Sequence, residues 1–216
     1  MSPSAKNASS SKSATKKAAK KATKAAAKKA VKSSAPAGPR TVAQEADVKA
    51  MIRSIALQVA KGQPDPSRVL VLGVRTRGVP IADRLRDELK KIYGVKSIPS
   101  GILDITLYRD DLSAIGPQPM VQESDITHDV TAADVILVDD VLFTGRTVRA
   151  ALDEIVDFGR PARIRLAVLV DRGWREYPIQ ADYVGMKVET TLDEVVHVRL
   201  DEIDGEDEVV VVPRRD

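Results

Sequence analysis

The 216-residue chain contains no cysteine and only two histidines, His128 and His197, far apart in sequence. Disulfides, thiolate metal centres and a cysteine nucleophile are therefore excluded, and a structural zinc site is not expected. Lack of cysteine suits a reducing compartment, and a cytoplasmic location is the expectation. Long apolar runs are missing as well. Segments such as Leu166–Val170 and Val209–Val212 fall far short of the roughly 20 residues that span a bilayer. No run has the form of a signal-peptide core, so no membrane association is expected.

A third absence divides the chain. Residues 1–40 hold ten Lys, Arg40, twelve Ala and eight Ser, but no acid. Eleven of the 34 basic residues lie there, leaving 23 in residues 41–216 against all 31 acids, so the formal balance is +11 for the tail and −8 for the body. The basic character belongs to the tail, and charge does not make the body a nucleic-acid-binding domain. Lys16–Lys21 (KKAAKK) and Lys24–Ala30 (KAAAKKA) are built from helix formers, yet like charges four apart repel and no apolar face exists to bury. Residues 1–40 are expected to be a disordered tail and linker, and 41–216 the folded domain. Two readings of the tail stand side by side: salt-sensitive, nonspecific attraction to phosphate backbones, or a solvated extension without a role.

In the body, Val48, Met51, Ile52, Ile55, Ala56 and Val59 fall at helical spacing, which predicts a helix from Val42 to Ala60. Val69–Val74 (VLVLGV) reads as a strand buried on both faces, and Val79–Tyr93 as a helix ended by Gly94. Ile98–Leu107 reads as extended. Tyr108–Thr131 is polar and too long for a simple connection, which suggests a flap or hood. Val135–Asp140, a helix through Phe158, and Ile164–Val170 repeat the strand–helix–strand order. Val195–Leu200 and Glu208–Val212, around Asp204-Gly205, predict a terminal hairpin. The fold class is α/β, with a mostly parallel central sheet flanked by helices.

Val135–Thr147, VILVDDVLFTGRT, carries the strongest chemical signal. Ligands in open parallel sheets sit at the carboxyl ends of strands. Gly145 permits close approach of backbone to ligand, and amides at a helix start favour an anion. The hydroxyls of Thr144 and Thr147 would complete a phosphate cradle, and Asp139 and Asp140 suit sugar hydroxyls. A phosphate beside paired carboxylates points to a ribose phosphate; no GxxxxGK[ST] loop is present. The competing structural reading has the two acids capping the helix or pairing with Arg146 and Arg149.

The thirteen-residue pattern resembles the signature of type I phosphoribosyltransferases, which bind 5-phosphoribosyl-1-pyrophosphate (PRPP). Gly73–Ala82 (GVRTRGVPIA), Asp104–Leu112 (DITLYRDDL), Val156–Pro161 (VDFGRP) and Leu166–Arg175 (LAVLVDRGWR) extend the resemblance to the PyrR family. These are pyrimidine operon attenuation regulators with uracil phosphoribosyltransferase activity, and the resemblance covers residues 42–212. It implies that Thr76 and Arg77 hold pyrophosphate and that Asp139 and Asp140 hold the ribose hydroxyls. Val141, Leu142, Phe143, Thr144, Gly145, Arg146 and Thr147 would form the loop around the 5′-phosphate. Arg109 would close over the pyrophosphate from the flap, and Asp171 and Arg172 would line the base pocket. Val196 matches a position whose backbone faces the nucleotide, although its residue type suits a core strand. Arg77 and Arg109 have the alternative of plain surface charges, and Arg172 that of pairing with Asp171. Asp139, Asp140 and Arg77 are the candidate catalytic residues. Mg²⁺ is the implied cofactor, held largely by substrate oxygens and water.

Some purine relatives carry a third carboxylate where this chain has Phe143, which favours uracil over a purine. RNA-binding relatives carry basic residues or His where this chain has Ser54, Trp174, Gln180 and Met186, removing phosphate contacts. Two hypotheses follow: an enzyme forming UMP, or a regulator in which the same pocket senses UMP or UTP and the protein binds the messenger leader of a pyrimidine operon. A phosphoribosyltransferase for another base is the third. The resemblance also implies a homodimer or higher homo-oligomer.

Overall fold

Five parallel strands form the central sheet of the computed structural model, which describes residues 38–108 and 124–214. In chain order the elements are β1 (Arg40–Gln44), α1 (Glu45–Gly62), β2 (Val69–Val74), α2 (Gly78–Tyr93), β3 (Ser100–Leu103), β4 (Asp134–Leu142), α3 (Arg146–Phe158), β5 (Arg163–Asp171), β6 (Tyr183–Lys187), β7 (Glu194–Arg199), a single helical turn α4 (Asp201–Asp204) and β8 (Glu208–Pro213). Strand order in the main sheet is β3-β2-β4-β5-β6; a second, antiparallel sheet runs β1-β8-β7.

Side chains alternate across a strand, and the runs read as doubly buried divide accordingly. Val69 and Val71 of β2, Ile136 and Val138 of β4, and Ala167 and Leu169 of β5 join one core cluster, with the apolar faces of α1 and α2. Leu70 and Leu72, Val135 and Leu137, and Leu166 and Val168 point the other way, into a cluster with Val148, Ala151 and Ile155 of α3. Every residue of β2 is buried. Helices therefore cover both faces of the sheet, leaving the carboxyl ends of its strands and their loops to carry function.

The buried face of α1 is Val48, Met51, Ile52, Ile55, Ala56 and Val59, the six residues that the periodicity selects. Its start differs from the expectation: Val42–Gln44 belongs to β1, which pairs with β8. The helix opens only where the Asp47 carboxylate accepts from the Gln44 N–H at 3.0 Å, a capping interaction that fixes the boundary. Ile98–Leu107 is likewise not one extended piece. The strand stops at Leu103, because the Asp104 carboxylate accepts from the Thr106 N–H at 2.9 Å and turns the chain into the 3₁₀ segment Ile105–Tyr108. Residues 109–123, which hold most of the expected flap and Arg109, lie outside the described residues, as do 1–37 of the tail. The terminal hairpin is present as β7 and β8, antiparallel, with α4 between them and Gly205 closing the turn at φ +77°. Strand β6 has no counterpart in the sequence reading.

Among the described residues no helix is long and apolar enough to cross a membrane.

Candidate active site

Strands β2, β4 and β5 are parallel neighbours, so their carboxyl ends deliver three loops side by side. The β4 exit brings the acid pair. Asp139 is 6% exposed and Asp140 half-buried. The Asp140 N–H donates to Asp139 Oδ1 at 2.9 Å, and the Val141 N–H to Asp140 Oδ1 at 2.8 Å. Burial, and then the charge of Asp140, push the Asp139 carboxyl well above its ordinary range. Two crowded acids at a strand end, one reluctant to ionise, suit a partner that brings hydrogen-bond donors or positive charge.

Among the described residues the acids neither cap α3 nor pair with Arg146 or Arg149. Arg146 binds Glu176 at 2.6 and 2.8 Å and lies 5.5 Å over the Tyr177 ring, while Arg149 pairs with Asp153 at 3.0 Å. Helix α3 has Gly145 at its N-cap, with φ +93° and no side-chain cap. A Cβ there would lie 3.2 Å from Tyr177 Cβ, so both conformation and space call for glycine. The Arg146 N–H donates to the Thr144 hydroxyl across a long 3.4 Å, a weak bond that an anion at the start of α3 can replace.

At the β2 exit the peptide between Arg75 and Thr76 is cis. Thr76 is exposed, and Arg77 takes the N-cap position of α2. Glycines press this loop onto the acid strand. A Cβ on Gly78 would lie 2.6 Å from the Val138 carbonyl oxygen and 3.3 Å from Asp139 Cα, and one on Gly73 would lie 2.8 Å from the Gly78 carbonyl oxygen. Substitution at either forces the backbone to shift. The Arg77 guanidinium donates to Asp204 Oδ1 of α4 at 2.9 Å.

At the β5 exit Arg172 is 4% exposed. It does not pair with Asp171, which instead holds Arg175 at 2.6 Å. Arg172 Nη2 donates to the Thr191 carbonyl at 3.1 Å, its guanidinium lies 4.1 Å from the centre of the Phe143 ring, and its Nε has no hydrogen-bond partner. Burial, followed by repulsion from Arg214, holds the guanidinium below its usual range. The arrangement joins the β4 and β5 exits through Phe143 and Arg172. Val196 is buried on β7 with its side chain in the core cluster, in keeping with its residue type.

Arg175 is a positioning residue that sequence reasoning passed over. Its Nη1 donates to the carbonyls of Leu142 (3.2 Å), Phe143 (2.8 Å) and Gly173 (2.9 Å), and its Nε to that of Ile179 at 3.0 Å. The amides of Glu176 and Tyr177 donate to the Thr144 carbonyl at 2.9 and 3.0 Å. Residues 175–177 thus clasp the β4–α3 loop from the neighbouring strand. The arginine stood inside the LAVLVDRGWR segment, but no pattern distinguishes a guanidinium that binds backbone from one that faces water.

Of the four positions where basic residues are missing, Ser54, Trp174 and Gln180 are exposed. Met186 packs against the core cluster that holds the buried face of α1. Trp174 adopts φ +61°, and its indole N–H donates to the Thr190 carbonyl at 2.9 Å.

Residues 40–203 match the family model described as phosphoribosyl transferase domain. The bifunctional protein PyrR of Chloroflexus aurantiacus is 55% identical over 164 residues, covering 76% of this chain and 89% of the relative. That of Deinococcus radiodurans is 49% identical over 167 residues, covering 77% and 91%. Among solved structures, the hypoxanthine phosphoribosyltransferase of Trypanosoma cruzi gives a TM-score of 0.61 at 18% identity, covering 82% of this chain and 97% of that one. At that identity the likeness is one of fold, and the fold is that of the type I phosphoribosyltransferases.

Proposed function

The chain belongs to the PyrR family and carries its phosphoribosyl transferase domain, and from that membership we propose that it converts uracil and PRPP to UMP and pyrophosphate and regulates a pyrimidine operon. The observation that supports the enzyme most is the β4 exit: two acids, one buried, followed within five residues by a left-handed Gly145 at the open start of α3. Asp139 and Asp140 would take the ribose hydroxyls, and Val141–Thr147 the 5′-phosphate. Thr76, Arg77 and, from the flap, Arg109 would take the pyrophosphate. Arg172, with Phe143 beneath it, would flank the base, and the backbone at Val196 would approach the nucleotide.

In the reaction the bond from the anomeric carbon to pyrophosphate oxygen breaks while a bond to the uracil ring nitrogen forms, and the proton of that N–H is lost to solvent. The demands are orientation and charge stabilisation rather than a strong base. Arg77 offers a planar fork to the departing pyrophosphate. The acid pair supplies hard oxygen donors and no soft ligand, which fits Mg²⁺ held mainly by substrate oxygens and water beside Asp139 and Asp140. When bound, Mg²⁺ would neutralise pyrophosphate charge. Release of pyrophosphate from PRPP and Mg²⁺ across a panel of nucleobases tests the proposal. Turnover is expected with uracil; turnover confined to hypoxanthine or orotate would replace the substrate, and none with any base would reject the enzyme.

The regulatory half would use the same pocket to sense UMP or UTP while the protein binds the leader messenger and so attenuates transcription of the operon. Ser54, Trp174 and Gln180 are exposed and uncharged, which favours an enzyme whose specific RNA binding has been lost as the second reading. A gel shift with the leader of its own operon, with and without UMP, decides between them. A homodimer or higher homo-oligomer in the cytoplasm, with the basic residues ahead of β1 as a nonspecific nucleic-acid tail and the domain opening at Arg40 rather than at residue 41, completes the reading.

A further inference from the structure

The ion pair between Arg77 and Asp204 lies where the pyrophosphate loop meets the turn between β7 and β8. Asp204 is fixed by its own turn: Oδ2 accepts from the Leu200 N–H at 3.0 Å, and the left-handed Gly205 ends the turn. Its Oδ1 therefore presents to Arg77 at 2.9 Å from a carboxylate that cannot readily follow the arginine elsewhere. That backbone hydrogen bond, and next in order Arg77, hold the Asp204 carboxyl below its usual range.

A second fastening, one step further along α2, differs in kind. Arg84 binds Asp207 at 2.7 and 2.8 Å and Glu202 at 2.6 and 2.8 Å. The Asp207 side chain in it is 3% exposed. In the Arg77–Asp204 pair the side chains are 37% and 21% exposed. The Arg84 cluster holds the turn on α2 whatever Arg77 does, whereas the Arg77 pair is single, solvent-facing and exchangeable.

We propose that Asp204 is a positioning residue for the transferase reaction, a resident carboxylate that holds Arg77 when pyrophosphate is absent and exchanges with it when pyrophosphate binds. This deepens the reading of the site as one for PRPP and rests on it. The multiply charged pyrophosphate offers the guanidinium more acceptors than one carboxylate can, so it takes Arg77. Asp204, still held by the Leu200 amide in a turn that the Arg84 cluster fastens through Glu202 and Asp207, remains beside the loop. Recapture of Arg77 by Asp204 then helps the product depart. The exchange lowers affinity for the pyrophosphate group and speeds its release.

The test is calorimetric titration of the full chain with pyrophosphate and Mg²⁺, with the dissociation rate measured by stopped flow. A pair exposed to this degree is worth up to about 1 kcal/mol, so Asp204→Asn should tighten binding about three- to fivefold and slow dissociation by the same factor. Asp204→Ser, which keeps an acceptor for the Leu200 N–H, should do likewise. Glu202→Gln should leave affinity unchanged. In an Arg77→Ala background the gain from Asp204→Asn should disappear. Unchanged or weaker binding by both Asp204 variants overturns the exchange, as does a gain that persists without Arg77, because the effect would then be simple repulsion. If the unsubstituted chain binds neither pyrophosphate nor PRPP, the site reading itself falls and takes the exchange with it. Tight binding of both with no response to Asp204 removes only the exchange.

Discussion

Burial, and then the neighbouring charge of Asp140, oppose ionisation of the Asp139 carboxyl. A folded-state pKa raised above the ordinary value of 3.8 stabilises the fold below that value and loses this stabilisation as pH rises through the folded pKa. Asp139→Asn should therefore raise the melting temperature at pH 7, by roughly 2–4 °C for each kcal/mol in a domain of this size. The gain should shrink toward zero as both proteins are brought to about pH 4; melting curves at several pH values check it. Asp140→Asn is expected to fold normally and to lose about two orders of magnitude in turnover, the scale on which removal of one preorganised electrostatic group acts. Steady-state kinetics beside a circular dichroism melt would show it, and wild-type turnover would end the assignment. Both acids were legible in the sequence because VDDVLFTGRT fixes residue types at fixed offsets from a strand end. Arg175 was not, because of its four backbone acceptors, Leu142, Phe143, Gly173 and Ile179, the first two lie at the exit of another strand and come close to it only after folding.

At the scale of elements, strand–helix alternation was readable where burial is strong and failed where an element is short or lies at an edge. The periodicity of α1 identified all six of its buried residues but placed its start too early, because β1 owes its form to pairing with β8, more than 160 residues away (Arg40 opposite Val211). Strand β6 is an edge strand interrupted by Gly185, whose missing Cβ admits the Leu169 carbonyl oxygen and Met51 of α1; such a strand has weak patterning and exists through what packs on it. The same kind of close approach makes the β2–α2 junction brittle. Gly78→Ala would set a methyl against the Val138 carbonyl oxygen, and overpacking of this sort costs about 1–3 kcal/mol. A melting temperature lower by roughly 2–12 °C, together with weaker PRPP binding from a displaced Arg77 loop, is the expected outcome of a thermal-shift titration. An unchanged melt would mean that α2 can retreat from β4 without strain.

For the molecule as a whole, charge segregation was visible in composition alone, while the junction between tail and body was not. Arg40, grouped with the tail by its charge, is the first residue of β1 and pairs with Glu194, a nearly buried acid on β7. A truncation meant to isolate the tail should stop at residue 37. Its removal is expected to leave kcat and KM within error while reducing retention on DNA or RNA columns at low salt; equal retention would deny the tail a nucleic-acid role. The antiparallel pairing that runs from Arg40–Val211 to Gln44–Glu208 also brings the first and last described strands out at the same end of their sheet. Handles fixed to the two chain termini would pull this pair open one rung after another, as a zipper is opened, rather than shearing all its bonds together. A single-molecule stretching experiment should thus record an early, low-force event that frees β1, well before the parallel sheet and the loops at its carboxyl ends bear any load.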